Sequence, residues 1–445
     1  MTTRRNFLKN SGLLAAGLGI SPLLSSASPS SRTEEVINGR VNLAVIGVGM
    51  GCRDLQGALT DNPWVHCVGM CDVNKVRLDE QIARFKKDFP DQTTGIKAYS
   101  DFRDVLADKG INGVIIATPD HWHPIIFAEA LKAGKAIYVE KPVGNSIPEC
   151  HSMMDFQKKY KGVVTTGLWQ TSQRYFRAAN EILGSGVLGD VYKVHIWLCQ
   201  STDPRPAVED SAVPSTLDYN MWLGPAPERP FNNYRFRGWR GFWDYGGGQQ
   251  TDWGVHWIDS AFDGLKILGL CDHEYPEAVF STAYKDATSF NETPSCQTTI
   301  FQYKKFHIEW NQQVARLYNR DQGVAWVGSK ATLVCNREGY ELIPEKNREG
   351  ACLADRAQLV GKFEDGGVEA HATNWCKCIL SKTIETNSPI EKGAFATILA
   401  HMANISYLTG TRVVYDPQTR KFVDNPKADA FLKRTYRAPW QLPKV

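Results

Sequence analysis

The sequence predicts an α/β protein in two parts: a parallel sheet wound with helices, then an α+β domain with a large, mostly antiparallel open sheet. Three observations carry this. Strand-like and helical runs alternate from Val41 to Val139. A glycine-rich turn, Gly47-Val48-Gly49-Met50-Gly51-Cys52, stands between the first strand and the first helix. Beyond about residue 162, short β-rich runs follow one another with few helices between them. Alternation of the first kind builds a parallel sheet, and runs of the second kind build an antiparallel one.

Val41–Ile46 is an unbroken apolar run, as a strand buried on both faces requires. A helix to Leu59, a strand over Val65–Cys71 and a helix over 75–89 follow. A short helix at 101–107, a strand at 113–117, a helix ending before Gly134 and a strand at Ala136–Val139 complete the first part. In the second part, strands are expected at Val191–Cys199, Ala278–Tyr284, 296–303, 306–312, 324–328 and 331–335. Helices are expected at 174–183, 251–268, 369–381 and 392–407. The expected divisions are a leader and linker at 1–39, a Rossmann domain at 40–163 and a substrate domain at 164–445.

With 42% hydrophobic and 22% charged residues, the balance is that of a globular protein. It excludes a mainly disordered, collagen-like or multi-span membrane chain. The net charge of +3 is confined to the first 27 residues, which hold Arg4, Arg5 and Lys9 and no acids. The rest is formally neutral, so nucleic acid is not an expected partner. Arg4-Arg5-Asn6-Phe7-Leu8-Lys9, an apolar run from Gly12 to Leu24 and a small-residue stretch around Ala27 resemble a twin-arginine export signal. This implies a periplasmic protein, exported folded, with no membrane attachment after cleavage. The eleven cysteines are odd in number and several lie in apolar strands, which reads as buried thiols. No spacing completes a metal site.

A glycine turn between strand and helix lets the backbone approach a pyrophosphate at the helix N-terminus. Gly47, Gly49, Met50 and Gly51 form that turn, with Cys52 where a third glycine usually packs the helix on the strand. Asp72 closes the next strand, where a carboxylate takes both ribose hydroxyls. This favours NAD, and Arg77 nearby keeps NADP open. Thr118, Pro119, His121, Trp122 and His123 follow another strand end and are expected at the nicotinamide. Glu140 and Gln170 are further cofactor candidates.

Ala133-Gly134-Lys135-Ala136-Ile137-Tyr138-Val139-Glu140-Lys141-Pro142, with Gly247-Gly248-Gln249-Gln250-Thr251-Asp252-Trp253-Gly254-Val255-His256 downstream, resembles the Gfo/Idh/MocA oxidoreductases. These are the glucose–fructose oxidoreductase and inositol dehydrogenase type. The leader, Asp120-His121-Trp122-His123-Pro124 and Trp222-Leu223-Gly224-Pro225-Ala226 resemble an exported subgroup of carbohydrate-degrading bacteria. The resemblance implies an NAD-dependent enzyme, a dimer or tetramer, with Lys141, Asp252 and His256 catalytic. Asp252 and His256, four residues apart, would share a helix face. His256 has the pKa range of a base, and Lys141 can stabilise charge on the reacting oxygen.

Residues 219–257 hold five of the thirteen tryptophans and several arginines, a composition suited to stacking on sugar rings. Arg174, Arg235, Trp239 and Tyr245, with Asp252 and His256, are the expected substrate contacts. The expected activity is oxidation of a ring hydroxyl of a sugar or glycoside, with C3 a candidate carbon. A glycosidase that oxidises C3 transiently is the alternative. Export implies a cofactor that stays bound.

Overall fold

The computed structural model describes residues 39–199, 206–313, 315–361 and 366–445. The expected leader and its expected cleavage site lie outside the described residues.

The first sheet has six parallel strands, β1 (Val41–Ile46), β2 (Val65–Cys71), β3 (Lys97–Tyr99), β4 (Gly113–Ile116), β5 (Ala136–Val139) and β6 (Val164–Thr166). Their order is β3-β2-β1-β4-β5-β6. The chain therefore leaves β1 toward one edge and returns through β4 toward the other. That reversal opens a crevice at the carboxyl ends of β1 and β4, where open α/β sheets bind ligands. β4 and β5 are buried throughout, because helices cover both faces.

The second sheet has eight strands. Its members are β7 (Val191–Cys199), β8 (Ala278–Tyr284), β9 (Cys296–Gln302), β10 (His307–Gln313), β11 (Gln322–Gly328), β12 (Ala331–Asn336), β13 (Gly339–Pro344) and β14 (Ala357–Val360). The order is β14-β13-β12-β11-β7-β10-β9-β8. Only the β7–β10 pair is parallel.

Two features were not legible locally. β6 lies beyond residue 163 yet extends the parallel sheet beside β5. The helix Gly367–Ser381 returns from the far end of the chain to the first domain, where Ala372, Trp375 and Cys376 share a core with Leu43, Val45, Cys67 and Tyr138. The expected helix over 251–268 is broken in two, Gly248–Asp252 and Gly254–Ile267, joined at Trp253. All eleven cysteines are free thiols; eight are buried, and Cys352 is exposed. No helix among the described residues is long and apolar enough to cross a membrane.

Candidate active site

The crevice is lined by three groups: the turn after β1, the segments after β2, β4 and β5, and residues 221–240 of the second domain. The three glycines of the turn do different work. Gly47 has φ +91°, and a Cβ there would lie 2.6 Å from the carbonyl oxygen of Ala117. Only glycine relieves both constraints. At Gly49 a Cβ would meet nothing within 4 Å, so its bare backbone faces open crevice. At Gly51 a Cβ would lie 2.7 Å from Val45 Cγ1 and 3.0 Å from Ala117 Cβ. Gly51 thus seats the helix on the strand, the task expected of Cys52. Cys52 is buried and bonded through Sγ to the Val48 carbonyl at 3.0 Å.

At the end of β2, Asp72 accepts hydrogen bonds from the amides of Val48 (3.1 Å) and Asn74 (2.8 Å), which fix its carboxylate at the crevice wall. The open cradle at Gly49, the helix N-terminus beside it and the oriented acid fit a dinucleotide. Met50, Thr118, Pro119, Trp122, His123, Glu140 and Lys141 line the same crevice. His123 bridges two strand ends, with Nδ1 2.8 Å from the Pro142 carbonyl and Nε2 2.9 Å from that of Thr118. Glu140 accepts from Arg53 Nη2 at 2.9 Å and from the Lys141 amide at 3.0 Å. Burial opposes its charge, but Arg53 and Lys141 hold its carboxyl below the usual range.

The catalytic candidates converge. Lys141 Nζ donates to the Asp252 carbonyl at 2.9 Å and pairs with Asp252 Oδ1. Arg240 Nε reaches the same Oδ1 at 3.1 Å. Burial would raise the Asp252 carboxyl, yet these two cations hold it far below its ordinary value. His256, buried one helical turn further on, is kept neutral by burial, then by the charges of Arg337 and Lys141. Its Nδ1 has no hydrogen-bond partner among the described residues. An ionised acid, an ammonium and a neutral imidazole together can hold a hydroxyl and accept its proton. The helix breaks at Trp253, so Asp252 and His256 stand on two successive helices and not on one continuous face.

Five expected contacts lie elsewhere. His121 is buried behind the crevice wall, with Nε2 3.1 Å from the Trp222 carbonyl and its ring against Trp222 and Tyr245. Burial pushes its imidazole down to about 3, so it is a neutral packing residue. Tyr245 is wholly buried in that cluster. Arg235 stacks over Phe242 and Phe290 in the small core of this segment. Arg174 is exposed and lies over Tyr175. Gln170 is buried behind His256: its Nε2 donates to Ser260 Oγ at 2.9 Å, and its Oε1 accepts from Arg337 Nε (2.9 Å) and Nη2 (2.8 Å). Trp239 does line the crevice, with the Arg240 guanidinium 4.2 Å from its ring centroid.

Sequence reading missed Arg240, Asp120 and Arg337. Arg337 is buried among Trp169, Trp253 and Trp257, on the turn after β12. Nothing local marks such a residue. Sequence reading also expected part of residues 219–257 to contact a sugar. In the structure Met221, Trp222, Phe236, Arg237, Trp239 and Arg240 fold back along the crevice that holds Gly49 and Asp72. The tie is backbone pairing of Lys75 to Thr216 and of Asp218 to Val73. Trp440, near the chain's end, packs edge-on against Trp122 at 4.7 Å.

Two models of one oxidoreductase family match this chain. The NAD-binding Rossmann model covers residues 41–168 and the C-terminal alpha/beta model covers residues 181–332. Among curated proteins, a "Glycosyl hydrolase family 109 protein" of Shewanella putrefaciens is 28% identical over 165 residues, 34% of this chain and 36% of that protein. An "Inositol 2-dehydrogenase" of Salmonella typhimurium is 26% identical over 153 residues, 34% and 44%. The chain therefore matches less than half the length of these relatives. Among solved structures, the WlbA dehydrogenase of Bordetella pertussis, in complex with NADH and UDP-GlcNAcA, superposes with a TM-score of 0.61. It is 16% identical, covering 85% of this chain and 99% of that one. The scyllo-inositol dehydrogenase of Lactobacillus casei, with NAD(H) and scyllo-inositol, gives 0.59 at 17% identity, covering 84% and 99%. These likenesses show the fold.

Proposed function

The chain belongs to the Gfo/Idh/MocA oxidoreductase family and binds NAD, and from that premise we propose that it oxidises a ring hydroxyl of a sugar or glycoside. The carrying observation is the Lys141–Asp252 pair beside the neutral His256. Gly47, Gly49 and Asp72 are the residues that would hold the dinucleotide, which when bound supplies the hydride acceptor. Lys141 Nζ donates to the reacting oxygen and stabilises negative charge as the proton leaves. His256 takes that proton, which a buried neutral imidazole is ready to do. Asp252 aims the Lys141 ammonium, and Arg240 is the second cation on the same carboxylate oxygen.

The segment 221–240 walls the cofactor crevice, which supports a cofactor that stays bound through turnover. The twin-arginine sequence supports export of the folded protein to the periplasm, where free NAD is scarce. Exposed Phe280 and Tyr284 on one face of β8 support a homo-oligomer formed through the open sheet. Sedimentation tests that assembly, and fractionation of an Arg4→Lys, Arg5→Lys variant tests export.

The glycosyl hydrolase 109 relatives favour a second reading, transient C3 oxidation with loss of the aglycone. The test is to incubate purified enzyme with a panel of methyl and aryl glycosides and no added acceptor. Reduced nicotinamide absorbance with a keto-glycoside product supports the dehydrogenase. Free sugar without net reduction supports the glycosidase. Neither product from any sugar sinks both readings.

A further inference from the structure

Asp120 stands at the carboxyl end of β4, as the first residue of a short 3-10 turn (Asp120–Trp122). Its side chain is only 2% exposed, yet it lines the crevice beside Lys141 and Arg240. Among the described residues its carboxyl group has no hydrogen-bond or ion-pair partner. The amide of His123 beside it bonds to the Asp120 backbone carbonyl. The charged groups that face it are Arg240 and Lys141, with Asp252 and Glu149. Both cations are already committed to Asp252 Oδ1.

A carboxyl group that lines a crevice without a protein partner keeps its hydrogen-bonding positions open to whatever enters the crevice. One of the charges facing Asp120 is Lys141, the group assigned to the reacting oxygen, so a ligand atom at Asp120 lies near the reacting carbon. We propose that Asp120 binds the hydroxyl vicinal to the one oxidised, so that the enzyme recognises a vicinal diol. This rests on the dehydrogenase reading above. Burial pushes the Asp120 carboxyl well above the usual range, with the nearby cations opposing it. A protonated carboxyl both donates and accepts, which suits a hydroxyl partner.

The test uses the full-length enzyme with its cofactor, and Asp120→Asn and Asp120→Ala. The probes are methyl glucosides and galactosides with their 2-deoxy and 4-deoxy analogues. The wild type is expected to prefer a parent sugar over one deoxy analogue at least tenfold in kcat/KM. Asp120→Ala is expected to bring that ratio near one, and Asp120→Asn to keep part of it. NADH affinity by fluorescence and the melting temperature with NAD are expected to stay at wild-type values. An unchanged parent-to-deoxy ratio in Asp120→Ala overturns the proposal. Lost NADH affinity with the ratio intact also overturns it, making Asp120 a cofactor contact. A wild type that turns over none of the sugars sinks the dehydrogenase reading itself, a different outcome.

Discussion

Gly49 and Gly51 stand two residues apart, and the structure gives alanine opposite effects at them. At Gly51 the new methyl would lie 2.7 Å from Val45 Cγ1 and 3.0 Å from Ala117 Cβ. Val45 lies in the buried strand β1 and Ala117 directly after β4, and neither short side chain can swing away. Overpacking of this kind costs about 1–3 kcal/mol, offset by up to about 1 kcal/mol of better helix propensity. The net loss centres on about 1–2 kcal/mol, a melting shift of about 1–2 °C in a protein of about 400 residues, whose unfolding entropy is about 0.9 kcal/mol/K. At Gly49 the methyl enters empty crevice and folding is untouched. It then occupies space a pyrophosphate needs. Loss of one charge-assisted hydrogen bond costs about 1.5–3 kcal/mol, or about ten- to 150-fold in NADH affinity. The assays are thermal unfolding of cofactor-free protein and NADH fluorescence titration. Gly49→Ala binding NADH at wild-type strength, or Gly51→Ala melting at the wild-type temperature, refutes this division of labour.

Lys141→Ala is expected to lower kcat at least a hundredfold, about 2.7 kcal/mol, with NADH affinity nearly unchanged; single-turnover absorbance measures it. Arg240→Gln leaves Asp252 with one cation instead of two, so its carboxyl rises and the acid limb of the pH–rate profile moves upward; an unmoved limb removes Arg240 from the site. His121 is held near 3, and His151, His371 and His401 near 4, all by burial. At pH 5 they are neutral when folded and charged when unfolded, where their pKa is about 6.5. These four groups therefore bind about four more protons in the unfolded state, and their contribution to stability falls as pH drops below about 6.5, down through the folded values, by up to about 1.4 kcal/mol per proton and pH unit. Denaturant titrations at pH 7, 6 and 5 measure that slope; a flat profile contradicts the burial of these imidazoles.

Much of this was legible in the sequence, because it rests on local physics. Apolar runs of strand length, glycines where a backbone must turn or bare itself, and Asp72 at a strand end are decided by neighbours along the chain. The Glu140-Lys141-Pro142 and Asp252–His256 motifs were legible through their resemblance to the oxidoreductase family. What the tertiary structure decided was which side chains face the crevice. Arg235 and Tyr245 look like sugar contacts by composition, yet they fill the small core of their own segment, since aromatic groups bury themselves before they wait for a ligand. His121 turned inward and Asp120 toward the crevice, an assignment set by how residues 219–245 fold back over β4. Arg337 and Gln170, far apart in sequence, meet behind His256 only because β12 runs there. Sequence alone determined the cofactor turn, whose geometry is made by a few consecutive residues, and located the catalytic motifs by resemblance. The walls around them come from long-range packing, which no short stretch of sequence encodes.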